Sequence, residues 1–466
     1  MTLSRRQFLA RTGLATAGLM TPSWFANPFV RRAFAQTIGD RYFVVLFLDG
    51  GNDGLNTVTP VDNGTIGGLR AAYEAARFAG SLQLSPTDLG STTLGVEATT
   101  STPIALHPGL IGLKHLYDQG HVAVIQGCGY PEANLSHDTS ARKWATGQPT
   151  GALPATGWVG RYLANNYNSL QIPAVTADRT IATELQQTTT SVLGIDDLED
   201  FGFPYDDYDS GDNAAKDAAF SALYASAKDS AQSTFRRVGS VGSAALTAAQ
   251  VYPQAFLDYA SDRASWNTQY ETNRTSTKLA LRDIAACIYG CANGMLENRV
   301  FQLSNGGYDT HGDQGTTADT DQHYRLHREI GDGLELFFAD LGNMGLANKV
   351  TVMVWSEFSR RILQNDSGGT DHGTQGPMFV IGGAVNGGLY GSHPDINEAS
   401  LNDDGNTIYS QAAGNPHRST DFRDVYGTIL KHWLGVADPS TLLPLDPTGS
   451  DPDLYWRSAN FDMGFL

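Results

Sequence analysis

The chain has 466 residues, 41% of them hydrophobic, with 49 Asp and Glu against 31 Lys and Arg, for a net charge of −18. An acidic surface of this kind repels phosphate backbones and anionic lipid heads, which excludes nucleic acid as a partner. Three cysteines are too few for a disulfide framework.

At the start, Ser4-Arg5-Arg6-Gln7-Phe8-Leu9 has the form of a twin-arginine export signal, followed by an apolar stretch from Thr12 to Met20 and an Ala33-Phe34-Ala35 cleavage pattern. Residues 1–35 are expected to be a signal peptide, with the twin-arginine translocase as a transient partner and the periplasm or the extracellular space as the destination. That translocase carries folded cargo, a route suited to a protein that takes up a metal or cofactor before export. The leader holds five Arg and no Asp, Glu or Lys, so its removal takes the net charge to −23. No later segment offers ~18 consecutive apolar residues, so no membrane span is expected in the mature form.

Residues 42 to 48, Tyr-Phe-Val-Val-Leu-Phe-Leu, are a continuous apolar run that ends in Asp49-Gly50-Gly51-Asn52-Asp53-Gly54. A strand buried on both faces reads this way, and such strands belong to sheets sandwiched between helices. The same strand-then-loop pattern recurs at Val122 to Gln126, Phe301 to Leu303, Val350 to Trp355 and Met378 to Ile381. Helical patterns fall between them at Pro108 to Gln119 and His323 to Leu341, so the core is expected to be α/β: a doubly wound, mostly parallel sheet between helices.

Residues 36–184 form the first part of this core and 279–466 the second part with the tail. The stretch 185–278, rich in Ala, Ser, Thr and Gln with helical segments at Ala214 to Ser233 and Ala244 to Trp266, is expected to be a helical insertion covering one end of the sheet. Its acidic run Asp206 to Asp212 lacks the spacing of a calcium loop and reads as solvated. Cys287 and Cys291, four apart in an apolar helix pattern, read as core residues. Asp438 to Asp453, crowded with Pro and Asp, reads as an irregular surface wrap.

Four polar clusters follow predicted strands, where an α/β sheet collects its ligands. Asp49 and Asp53 sit among glycines that let the backbone bend; ordinary turn residues look the same. In Asn134-Leu135-Ser136-His137-Asp138, Ser136 suits both a helix cap and a nucleophile at the positive end of the helix dipole. Asp309 and His311 alternate, so an extended backbone points both toward one metal ion; an Asp orienting a structural His has the same spacing. Finally, Glu357 closes a strand, and Asp371-His372 lies in a glycine-rich loop before the next one. Arg361, with Arg360 beside it, is a candidate to hold a tetrahedral anion, against a surface salt-bridge role. The remaining histidines, His107, His115, His121, His323, His327 and His432, read as solvated. Carboxylates and imidazoles without thiolates suit Zn²⁺, Mn²⁺ or Mg²⁺.

In this order, Val44 to Gly54, Asn134 to His137, Tyr308-Asp309-Thr310-His311-Gly312, Trp355 to Phe358 with Arg361, Gly369 to Gly373 and Thr420-Asp421-Phe422-Arg423 resemble the hallmark motifs of domain of unknown function 1501. That family is grouped with the alkaline phosphatase-like superfamily, and its members are typically twin-arginine exported. The resemblance implies a metal site at the strand ends, with Asp49, Asp309, His311, Glu357 and His372 in ligand positions and Ser136 as the nucleophile; the residue reading adds Asp53 and Asp371 to the ligands and His137 and Arg361 to catalysis. The resemblance also implies attack by a metal-activated Ser136 oxygen on phosphorus or sulfur.

Two departures stand out. One residue separates Asp309 from His311 where active phosphatases place three, and Glu357-Phe358 replaces an Asp-His pair, so one divalent ion or none is expected. Cys128 lacks the Cys-x-Pro-x-Arg context of formylglycine sulfatases. The reading is an exported metal-dependent hydrolase of a phosphate or sulfate ester or related small anionic substrate. The alternative is a non-catalytic binding or assembly protein of the cell envelope on the same scaffold. Replacing Arg5 and Arg6 together with Lys is expected to trap the unprocessed chain in the cytoplasm; cell fractionation that still finds processed protein outside it would remove the export reading.

Overall fold

The computed structural model describes residues 40–61, 68–167, 172–178, 180–187, 189–202, 213–394, 396, 414–416, 418–443 and 461–466. The expected signal peptide, residues 1–35, the acidic run 206–212 and residues 444–453 of the tail lie outside the described residues. The apolar run near the start is β1 (Tyr42–Asp49), and its side chains divide as a two-sided strand requires. Tyr42, Val44, Leu46 and Leu48 enter one hydrophobic core, Phe43 and Val45 the other.

Around β1 a nine-stranded sheet assembles from β5 (Val122–Gly129), β6 (Ala174–Thr176), β7 (Val192–Gly194), β8 (Val300–Gly306), β9 (Val350–Trp355), β10 (Gly376–Gly382), β11 (Gly388–Tyr390) and β12 (Thr420–Asp421). The order is β11-β5-β10-β9-β1-β8-β6-β7, with β12 beside β5. β1 runs parallel to β8 and β9, whereas β10 is antiparallel to both β9 and β5. With β6, β7, β11 and β12 parallel to their neighbours, β10 alone is reversed. The carboxyl ends of β1, β5, β8 and β9 therefore share one rim with the amino end of β10. A second, antiparallel sheet of β2 (Val58–Pro60), β3 (Thr93–Val96) and β4 (Pro103–Leu106) has the order β2-β4-β3.

Helices of seven residues or more, in chain order, are α1 (Leu69–Ala76), α2 (Ile111–Asp118), α3 (His137–Thr146), α4 (Trp158–Asn166), α5 (Asn213–Lys228), α6 (Ser233–Asp262), α7 (Ala264–Glu271), α8 (Ser276–Ala292), α9 (Gln322–Asn343) and α10 (Phe422–Thr428). One face of the main sheet is covered by α2, α6, α8 and α9 through Leu113, Phe256, Ile284 and Leu334. Trp144 of α3, Trp158 of α4 and Tyr426 of α10 cover the other. The predicted mostly parallel α/β sheet between helices is thus the fold observed. None of the described helices is long and apolar enough to cross a membrane. All three cysteines are free and buried.

Two features differ from the sequence reading. Within 185–278, β7 pairs with β6, and Ala248, Tyr252, Phe256 and Tyr259 of α6 join the core, so this segment closes a sheet edge and pads a face. A stripe recurring every three to four residues, once buried, lays a helix along a face. The second difference concerns His107, His323 and His327, which were expected in solvent and are fully buried. His323 and His327 stand on α9 in register with Ile330, Leu334 and Phe337, so the helix carries them inward with its apolar stripe.

The three rings form a cluster with centroids 4.1 to 5.1 Å apart. Asn52 Oδ1 and Thr57 Oγ receive the Nε2–H groups of His323 and His327 at 3.1 and 3.0 Å, and the Gly109 N–H donates to His107 Nδ1. Beside them Asp53 meets the equally enclosed Arg77 at 2.9 Å and accepts from Gln314 at 2.7 Å. Asp53 is therefore corrected from a rim ligand to a core residue: both its oxygens are spent inside the protein.

Burial first keeps both His323 and His327 neutral; the charges of Arg77 and Arg360 help push His323 down to about 3, and the other two histidines help hold His327 well below its ordinary value. Unfolded histidine takes a proton near 6.5. The unfolded state then binds protons that the folded state refuses, so stability is complete above about pH 6.5 and drains away as pH falls toward the folded values. The urea midpoint is expected to drop between about pH 7 and pH 4, and His327→Gln to flatten that limb; an unchanged slope in the variant rejects the assignment. Asp53→Ala leaves the buried Arg77 charge without its carboxylate, with only the Arg361 carbonyl still accepting from it, and is expected to cost about 3–5 kcal/mol in urea unfolding.

Candidate metal centre

The rim is built on the loop after β1. Gly50 and Gly51 take φ of +120° and +77°, and a Cβ on either would strike the Asp309 backbone nitrogen at 2.4 Å or the Phe358 ring at 2.2 Å. Only glycine lets the loop pass between those two segments. Residues after β9 then bind the loop backbone at alternate positions: Glu357 accepts from Gly50 N, Ser356 Oγ from Asn52 N and Ser359 Oγ from Gly54 N, at 3.0, 3.0 and 2.8 Å. Arg360, fully buried, donates to the carbonyls of Gly51, Thr370, Tyr308 and Gly50 and to Asp309 Oδ1 at 2.7 Å.

Three imidazoles converge on that Asp309 oxygen. Nε2 of His137, His311 and His372 lies 3.5, 3.2 and 3.3 Å from Oδ1, and the Nε2 atoms of His311 and His372 are 2.9 Å apart. His137 is the first residue of α3 beyond β5, Asp309 and His311 follow β8, and His372 precedes the reversed strand β10. The ring of Phe358 packs under His137 and His372, with centroids 4.8 and 4.6 Å away.

Each imidazole has an outward acceptor for its Nδ1–H. His137 donates to Glu357 Oε1 at 2.7 Å, His372 to the Leu135 carbonyl at 2.7 Å and His311 to Asp371 Oδ1 at 3.3 Å. Where a ring is neutral with its proton on Nδ1, its bare Nε2 lone pair faces the Asp309 carboxylate oxygen, and for His311 and His372 the other ring as well. That arrangement is repulsive until a cation lies between them.

The donor set fits a metal. Ligands about 2.0–2.1 Å from a tetrahedral ion stand about 3.3 Å apart, close to the separations observed here. Among the described residues, His137, Asp309 and His372 are the group of three whose ligand atoms could share an ion.

Electrostatics match the geometry. Burial raises Asp309, but the hydrogen bond and charge of Arg360 outweigh it and hold the carboxyl below its ordinary range. The Glu357 hydrogen bond raises His137, and burial lowers His372 against the pull of the Leu135 carbonyl. Asp371 is held low by Asn365 and His311 despite its partial burial. Burial and then the Glu357 charge push Asp49 upward.

The structure thus brings together Asp309, His311 and His372 from the expected ligands and adds His137, expected in catalysis. Two other expected ligands stand one shell out: Glu357 on His137 and Asp371 on His311. Asp49 is exposed at the rim, and Ser136 caps α3 in position while its hydroxyl makes no cap bond. Arg361 is half-buried, its Nε 3.4 Å from the His372 carbonyl. The Arg360 guanidinium is consumed by its five acceptors and is not open to an anion. Asn365, which donates to Asp371 and to the His311 carbonyl, was not anticipated, although Asn-Asp-Ser-Gly-Gly is a turn signal. Nothing in the residue pattern marks the Leu135 carbonyl, which is backbone.

No curated protein matches the chain. Among solved structures, it is similar to the lipoteichoic acid synthase LtaP from Listeria monocytogenes, at 8% identity over 78% of this chain and 71% of that one, with a TM-score of 0.31. It is similar to the PsFucS1 sulfatase from Pseudoalteromonas sp., at 11% identity over 90% and 73%, with a TM-score of 0.32. A protein in the alkaline phosphatase superfamily from Vibrio parahaemolyticus has 10% identity over 82% and 68%, with a TM-score of 0.29. Scores this low carry no argument about chemistry. Residues 207–433, which include Asp309, His311, Glu357, Asp371 and His372, match the family model described as Protein of unknown function (DUF1501), the family that the sequence motifs resemble.

Proposed function

We propose that this protein is an exported hydrolase of a phosphate or sulfate ester, or a related small anionic group, that works with one divalent cation. The observation that carries the reading is the convergence of three Nε2 atoms on Asp309 Oδ1, each ring held from behind through Nδ1. His137, Asp309 and His372 would hold the ion with His311 at its side, a donor set of nitrogen and oxygen that favours Zn²⁺ over Mg²⁺. When bound, the ion supplies positive charge to a developing oxyanion.

The chain's own residues supply the remainder. Ser136 offers a hydroxyl free of capping duty at the amino end of α3, where the helix dipole favours negative charge on oxygen. The half-buried Arg361 is positioned at the His372 loop, and its planar guanidinium suits a tetrahedral anion. Arg360 keeps Asp309 ionised and the loops in place. The acidic surface makes the binding of an anion depend on this local cluster of cations.

Purified protein is expected to bind one divalent ion by elemental analysis. At an ion concentration about a hundred times the dissociation constant, unfolding should become harder by about 2.7 kcal/mol, and Asp309→Ala should lose both effects. Ser136→Ala should keep the fold and the ion and lose turnover on the order of 10³-fold or more. Ion binding without turnover of any phosphate mono- or diester or sulfate ester moves the protein to the non-catalytic envelope role; neither binding nor turnover removes the metal reading as well.

A further inference from the structure

We infer that Glu357 is a positioning residue: it selects the tautomer of His137 and aims its Nε2 at the ion without binding the ion itself. This rests on the metal reading above. The Glu357 carboxylate is fully buried and lies behind His137, with Oε1 2.7 Å from Nδ1. Its other contacts come from Gly50 N, at 3.0 Å to Oε1, and Ser356 Oγ, at 3.1 Å to Oε2.

A carboxylate in this position accepts the Nδ1 proton, which fixes Nε2 as the bare nitrogen. The opposite tautomer would turn a lone pair toward Glu357 inside the protein, two acceptors face to face at 2.7 Å, which burial makes costly. The local structure leaves this task to Glu357. Ser136 makes no cap bond to α3, and the first turn is tied down instead by Ser140 Oγ donating to the Glu357 carbonyl and by His137 on the Glu357 side chain. Glu357 therefore meets the first turn of α3 through its carbonyl and the first side chain of that helix through its carboxylate.

The other two anchors are weaker in kind. His372 is held by a neutral carbonyl, and Asp371, 49% exposed, reaches His311 at 3.3 Å while shared with Asn365. Water screens an exposed carboxylate and competes for its hydrogen bonds, so the dry Glu357 has the larger leverage on the centre.

The test uses the mature full chain with zinc as probe. Chelator competition is expected to show weaker zinc binding by about 10-fold in Glu357→Gln and about 100-fold in Glu357→Ala, with Asp371→Asn closer to wild type than Glu357→Gln. Thermal melts of the metal-free variants establish that each is folded. In the metal-free protein at alkaline pH, nitrogen NMR is expected to find His137 protonated on Nδ1 in wild type and in Glu357→Gln, whose amide oxygen still accepts, and on Nε2 in Glu357→Ala.

A wild-type His137 protonated on Nε2, or wild-type zinc affinity in Glu357→Ala, overturns the inference. Should Glu357→Ala fail to fold, the affinity of Glu357→Gln and the wild-type tautomer decide it. Should wild type bind no ion, the proposed function falls, while the tautomer of His137 still decides the role of Glu357.

Discussion

The guanidinium of Arg360 is enclosed where the loop after β1, the loop after β8 and the approach to β10 meet, and it ties those three segments together. Gly50, Gly51, Tyr308 and Thr370 give it their carbonyls, and Asp309 gives it one carboxylate oxygen. Those carbonyls belong to backbone that leaves the sheet, and a buried carbonyl left without a partner costs more than a single bond returns. A planar group with five fixed donors satisfies them together; a lysine could not. By spending its charge on Asp309, Arg360 also keeps that carboxylate ionised among three imidazoles.

The reversal of β10 is the topological counterpart of this constraint. Parallel strands deliver the residues that follow them to one rim, and an antiparallel strand delivers the residues that precede it. His372, just ahead of β10, therefore meets His137, Asp309 and His311, which come after β5 and β8. Beneath the rim, the buried cluster of His107, His323, His327, Asp53 and Arg77 fixes the same β1 loop from the core side through Asn52 and Thr57. The loop is held from both directions, from the core through Asn52 and Thr57 and from the segment after β9 through Ser356, Glu357 and Ser359. Preorganisation of this kind is what a metal centre needs for its geometry.

Much of the fold was legible in the chain because β1, β5, β8, β9 and β10 are long apolar runs followed by glycine and acidic residues. The strands of two to four residues, β2, β3, β4, β6, β7, β11 and β12, were not, since so short a segment shows no period. His323 and His327 could have been placed inside from their register with Ile330, Leu334 and Phe337; residue type argued for solvent and helical position overruled it. At the site, Asp309, His311 and His372 were legible as candidates that the rim does bring together, whereas Glu357 and Asp371, of the same residue types, contact the imidazoles from behind. A carboxylate that binds an ion and one that binds the imidazole holding the ion look alike in sequence. Distance separates them.

What the sequence determined by itself was the kind of fold, through the apolar runs that only a two-sided sheet can bury, and the inventory of acids and imidazoles at the strand ends. The tertiary structure alone decided which of those groups face one another. That choice depends on the register of strands far apart in the chain, on the reversed direction of β10 and on a buried arginine between the loops, none of which leaves a mark on local residue order.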